Sequence, residues 1–101
     1  MNPRTLERLE AARLIYGRAV NIASAYRCPN YNQGVGGGSN SAHLRGTAVD
    51  VARPSGGAAL ADIIDAFKAA GFWGYGMGKK QGTDTLHFDD DAELGRRAWM
   101  Y

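Results

Sequence analysis

The chain has 101 residues, with 12 Lys plus Arg against 10 Asp plus Glu, a net charge of +2 and a 45% hydrophobic share. That is the size of one domain, residues 1–101, able to bury about 60–70% of its unfolded surface without obligatory staples. Scattered charge argues against a dedicated nucleic-acid surface, no apolar run approaches the ~20 residues of a membrane span, and one cysteine, Cys28, excludes an internal disulfide.

Asn2 and Pro3 predict a helix start, Asn2 as N-cap and Pro3 in the first turn, where its missing N–H costs nothing. Leu6, Leu9, Ala12 and Ile15/Tyr16 recur at helical spacing up to Gly17, the predicted stop; the charges between them read as a solvated face. Met1 to Ala19 holds no continuous hydrophobic signal region, which predicts cytoplasmic synthesis without a signal peptide. Val20 to Tyr26 alternates like a strand and ends at Arg27-Cys28-Pro29. Asn30 to Asn40 is rich in glycine and asparagine and reads as a loop, without the spacing or following lysine of a phosphate cradle. Gly46 to Ala52 predicts a short strand carrying Asp50, closed by Arg53-Pro54.

Beyond the Ser55-Gly56-Gly57 break, Leu60, Ile63, Ile64 and Phe67 define the core stripe of a helix that ends at Gly71. Trp73 to Met77 and Thr83 to Asp89 predict two strands joined by a polar connection through Lys79-Lys80-Gln81-Gly82. The tail from Arg96 to Tyr101 is aromatic enough to dock. Helix, strand, strand, helix and strand pair together predict an α+β fold, a small antiparallel sheet with flanking helices.

The chain has two histidines, each near a carboxylate. His43 and Asp50 are seven positions apart, and a chain that bends at Gly46 into a strand brings both to one point. His87, on a later strand, supplies a third donor. Two imidazoles and a carboxylate suit one Zn²⁺ ion and leave it a net Lewis acid with an open position. Asp84 stands three residues before His87, an odd spacing that puts the two on opposite faces of a regular strand. A turn or bulge at the strand start is therefore expected, from which Asp84 would exchange a proton with water on the metal. Asp89, two residues after His87, falls on its face and fits a role orienting the imidazole. Asp90 and Asp91 read as solvated charge. Arg27, at the mouth of the glycine loop, suits a substrate carboxylate or an oxyanion. Ser41 is placed either to bond a ligand or to cap its turn. Trp73 and Tyr75 read as buried aromatics.

Taken in order, Ser24-Ala25-Tyr26-Arg27, Asn32, the glycine loop, Ser41-x-His43-x-x-Gly46-x-Ala48-x-Asp50 and Asp84-x-x-His87-x-Asp89 resemble the D-alanyl-D-alanine metallopeptidases. That group comprises zinc D,D-carboxypeptidases, vancomycin-resistance dipeptidases and phage L-alanyl-D-glutamate endopeptidases, and the hedgehog domain shares its fold. The resemblance spans about Val20 to Asp91. It implies a hedgehog/D,D-peptidase-like fold and one zinc ion on His43, Asp50 and His87. It further implies Asp84 as catalytic acid/base, and Arg27 as the arginine that binds substrate or steadies the transition state. The expected partners are peptidoglycan stem peptides, with no nucleic acid or membrane, and the expected state is a monomer. A phage lysis enzyme or virion-associated hydrolase, acting on the wall after release, fits such a compact chain. The alternative is a zinc-stabilised binding or structural module that keeps the fold without hydrolysis.

Overall fold

The computed structural model describes residues 2–24, 45–80 and 83–100. Chain order is α1 (Pro3–Tyr16), β1 (Ile22–Ser24), β2 (Ala48–Ala52), α2 (Gly57–Ala70), β3 (Gly74–Lys80), β4 (Thr83–Asp89) and β5 (Arg97–Met100). The α+β reading holds: both helices and β1 to β4 form in the predicted segments, but β3 runs on through Lys79 and Lys80, expected in the connection, and β5 forms in a tail for which no strand was predicted. The predicted strand end at Tyr26 and the loop from Asn30 to Asn40 lie outside the described residues.

Helix α1 begins because Asn2 Oδ1 accepts from the backbone N–H of Arg4 at 2.9 Å and of Thr5 at 3.4 Å. It ends at Gly17, whose φ of 72° is left-handed and open to glycine without steric cost. Its buried stripe is Thr5, Leu9, Ala12 and Tyr16. Leu6 and Ile15, expected on that stripe, are instead 47% and 54% exposed. The helix is rotated by its polar residues. Thr5 Oγ1 donates to Asp90 Oδ1 at 2.5 Å, and Arg8 Nη1 to Asp90 Oδ2 at 2.7 Å. The charge on this helix is thus partly a fastening and not simply a solvated face.

The sheet has strand order β1-β2-β4-β3-β5. The first four strands pair antiparallel, as expected, and β5 joins β3 in parallel. Because β4 already runs the chain back along β3 and ends opposite Gly74, residues 90–96 need only cross that end of β3 before β5 starts opposite Gly74 as well. Val49 and Val51 of β2, Leu86 and Phe88 of β4, and Tyr75 and Met77 of β3 face the helices in one core with Leu9, Ile63 and Phe67. Phe67 stacks on Phe88 with ring centroids 4.0 Å apart, and Phe72 and Tyr75 meet Phe88 edge-on. By strand alternation, Asp50, His87 and Asp89 then share the opposite face. Among the described residues no helix is long and apolar enough to cross a membrane.

Asp90 and Asp91 correct the expectation of solvated charge: in the run Asp89-Asp90-Asp91 the three residues are 0%, 0% and 1% exposed. Each meets an arginine from a different part of the chain. Arg97 forks onto Asp89 at 3.0 and 2.8 Å, Arg8 reaches Asp90, and Arg45 grips Asp91 at 2.5 and 2.9 Å. Asp91 also accepts from Thr47 Oγ1 at 2.7 Å and from the backbone N–H groups of Glu93 and Leu94. Buried carboxylates persist when their lone pairs are matched in this way.

Burial alone would raise the Asp91 pKa, but the bonds from Arg45 and Thr47 and the Leu94 N–H lower it from 3.8 to about 2. A depressed folded-state pKa stabilises the fold above the unfolded value, and that contribution is lost as pH falls through the folded one. Wild type and Asp91→Asn should therefore differ most near neutrality. Their gap in urea-unfolding free energy should shrink by about 2 kcal/mol as pH is lowered from about 5 toward 2. A gap that stays constant over that range would show that the charge of Asp91 does not hold this corner.

Candidate metal centre

Strand pairing brings the central residues together. Asp50 on β2 lies directly opposite His87 on β4, and Gly76 on β3 lies opposite His87 from the other side. His87 Nδ1 stands 3.0 Å from Asp50 Oδ1, and His87 Nε2 stands 2.6 Å from Asp89 Oδ2. Asp50 and His87 are each 5% exposed. The imidazole is therefore held edge-on between two carboxylates, one on each ring nitrogen.

The electrostatics follow from that placement. Burial pulls the His87 pKa down, but the bonds to Asp50 and Asp89 outweigh it and hold the imidazole above its ordinary value. Burial pushes the Asp89 carboxyl up, while His87 and Arg97 pull it further down, so it stays ionised. An ionised Asp89 between a guanidinium and Nε2 makes Nε2–H a donor. Nδ1 is then the nitrogen turned to Asp50.

Beside this centre β3 presents three glycines on the site face. Gly74 lies opposite Asp89, Gly76 opposite His87 and Gly78 opposite Thr85. A Cβ on Gly74 would come within 2.5 Å of Asp89 Cγ, and one on Gly76 within 2.5 to 2.8 Å of the Trp99 indole. The glycines are a bare strip over which Asp89 and Trp99 reach inward from the neighbouring strands. Trp99 uses it to bring its ring to 4.9 Å from that of His87. Thr85 lies on this face too, 7% exposed, and its Oγ1 has no hydrogen-bond partner among the described residues.

The candidate residues from the sequence divide into three groups. Asp50, His87 and Asp89 are brought together. Arg27, Ser41 and His43 lie outside the described residues, as does Cys28. Asp84 is apart from the cluster: it pairs with Lys79 in an uninterrupted β3–β4 register and is exposed. No bulge shifts it, so alternation sets Asp84 on the face of Leu86 and Phe88 rather than that of His87. Trp73 and Tyr75 are half-buried, with Trp73 Nε1 donating to the Asp91 carbonyl and the Tyr75 hydroxyl to that of Phe72. Arg97, Trp99 and the glycine strip were not singled out from the sequence. The signal for them was period two: Gly74-x-Gly76-x-Gly78 and Arg97-x-Trp99.

Among the described residues no three His, Cys, Asp or Glu side chains form a group that could hold a metal ion. Asp50 and His87 nevertheless fit as two members of such a set. They are adjacent, buried oxygen and nitrogen donors of the types zinc takes, and the second nitrogen of His87 is bonded to a carboxylate, the arrangement that orients metal-ligating histidines.

The peptidase M15 family model matches residues 1–89, and the chain belongs to that family of metallopeptidases. No curated protein matches the chain.

The glycine strip has a measurable consequence. Gly76→Ala should force the Trp99 ring off its seat and destabilise the protein by about 1–3 kcal/mol, read from chemical denaturation. The tryptophan emission maximum of the folded protein should shift to longer wavelength. An alanine accepted without loss of stability would mean that β3 and β5 are not packed this closely.

Proposed function

We propose that this chain is a zinc peptidase that hydrolyses peptide bonds in the stem peptides of peptidoglycan. The observation that carries the reading is the buried Asp50–His87 pair with Asp89 on the far nitrogen of the imidazole. Membership of the M15 family supports it. In this reading Asp50 and His87 hold the zinc with His43, and the ion supplies Lewis acidity toward the scissile carbonyl.

The chain's own residues do the remaining work. Asp89 keeps the Nε2 proton of His87, so that Nδ1 carries the lone pair toward the ligand position. Arg27 balances charge that develops on the carbonyl oxygen or binds a substrate carboxylate, with Ser41 as a further contact. Asp84 takes the proton of the attacking water and passes it to the leaving amine. The role of Asp84 rests on its spacing and the family pattern, and requires the β4 start to depart from the ladder when substrate is bound.

The same position of Asp84 favours a second reading. A carboxylate on the helix side of a regular strand contributes nothing to a site on the other face. The chain would then be a zinc-stabilised binding or structural module without hydrolysis.

Purified cell walls incubated with zinc-loaded protein, and the soluble products weighed by mass spectrometry, separate the two. Stem-peptide fragments are expected. Loss of terminal D-alanine would mark a D,D-carboxypeptidase, and cleavage between L-Ala and D-Glu would mark the endopeptidase type found in phage relatives of the resembled group. Asp50→Ala should lose zinc and activity together. Asp84→Asn should retain zinc and lose about 10²-fold or more in turnover. Stoichiometric zinc with no release from several wall types would overturn the hydrolase and leave the module.

A further inference from the structure

His87 is placed by β4 and bonded by Asp50 and Asp89, and two side chains of β5 reach its ring as well, Trp99 directly and Arg97 through Asp89. Arg97 Nη1 and Nη2 reach Asp89 Oδ1 and Oδ2 at 3.0 and 2.8 Å, and Asp89 Oδ2 lies 2.6 Å from His87 Nε2. The Arg97 guanidinium also sits 4.7 Å above the Trp99 ring, which crosses Gly76 to meet the His87 ring. These contacts close a loop of four side chains: Arg97, Asp89, His87 and Trp99. Two of its members, on β5, fall beyond the residues 1–89 that the family model matches.

We propose that Arg97 and Trp99 are positioning residues for His87. Arg97 holds both oxygens of Asp89, so the carboxylate cannot rotate away from Nε2 or take up its proton. A bidentate guanidinium fixes the plane of a carboxylate as an ammonium does not. Trp99 presses on the imidazole and limits its tilt about the Cβ–Cγ bond. Together they choose which nitrogen of His87 faces Asp50 and along what direction. The strip at Gly74 and Gly76 is what lets both side chains in. The inference rests on the zinc reading for its consequence, though not for the contacts themselves.

The test is made on the full chain. Zinc affinity is measured by competition with a chromogenic chelator, and the His87 ring is followed by ¹⁵N–¹H correlation spectra, which have only two histidines to resolve. Arg97→Gln and Trp99→Ala should each weaken zinc binding about 10- to 100-fold, the range for loss of outer partners of a metal ligand. The slowly exchanging Nε2–H signal of His87 should vanish in Arg97→Gln. Trp99→Phe should recover most of the affinity, and Arg97→Lys little of it.

A merely structural role would lower the melting temperature while leaving zinc affinity and the Nε2–H signal of the folded protein unchanged, and that result overturns the proposal. Should Arg97→Gln not fold, Arg97→Lys carries the same comparison. If the unaltered protein binds no zinc, the function proposed above fails. The Nε2–H signal in metal-free wild type and Arg97 variants still decides whether Arg97 positions His87.

Discussion

Three consecutive buried aspartates, each matched by an arginine from elsewhere in the chain, are the constraint on which this small protein turns. Asp90 draws in α1 through Thr5 and Arg8, Asp91 holds the turn before β2 through Arg45 and Thr47, and Asp89 receives β5 through Arg97. Replacing any of these pairs with hydrophobic groups of equal volume need not weaken a fold. Removing one partner alone does, because it leaves the other charge buried. The run thus specifies arrangement more than it adds stability: each aspartate accepts one segment in one register. The backbone reinforces it, with Asn2 N–H on the Gly46 carbonyl and Asp90 N–H on that of Thr47.

The same run connects scaffold to site. Asp89 is both the last residue of β4 and the acceptor on His87, so whatever fastens the strand end also orients the imidazole. Space for this comes from β3. A residue with any side chain at Gly74 or Gly76 would fill the volume that the Asp89 carboxylate and the Trp99 indole occupy. Glycine inside a strand weakens it by loss of entropy and packing. Here that loss is offset by aromatic and ionic contacts that lie across the bare strip.

Much of this could be read from the residues. Asn2, Pro3, Gly17 and Gly71 mark helix ends through local backbone chemistry, and the alternation in β2 and β4 sets Asp50 and His87 against Val49, Val51, Leu86 and Phe88. What escaped was long-range. The rotation of α1 toward Thr5 depends on Asp90, 85 residues away, and no period within the helix reveals it. Asp90 and Asp91 look solvated because a run of acids usually is; their burial becomes visible only when three arginines are seen to converge. The parallel course of β5 likewise depends on its partner, since Arg97-Ala98-Trp99-Met100 alternates equally well in either direction.

Strand parity finally divides the carboxylates of β4 between two kinds of work. Asp89 shares the face of His87, but both its oxygens are taken by Arg97, and one by His87 as well. Its pKa is held down by those same partners. A carboxylate so fixed orients a ring well and accepts a proton poorly, because protonation would break the contacts that place it. In the proposed zinc reading Asp50, facing Nδ1, is committed to the ligand position. If the site carries a proton during hydrolysis, then neither of the two acids seen beside His87 is its carrier. Asp84 lies one residue from the hairpin end of β4, exposed and on the other parity. The acid/base role proposed for Asp84 therefore demands a local break in the ladder between Lys79 and Asp84, whereas the orienting role proposed for Asp89 demands that the ladder beside Gly74 and Gly76 remain whole.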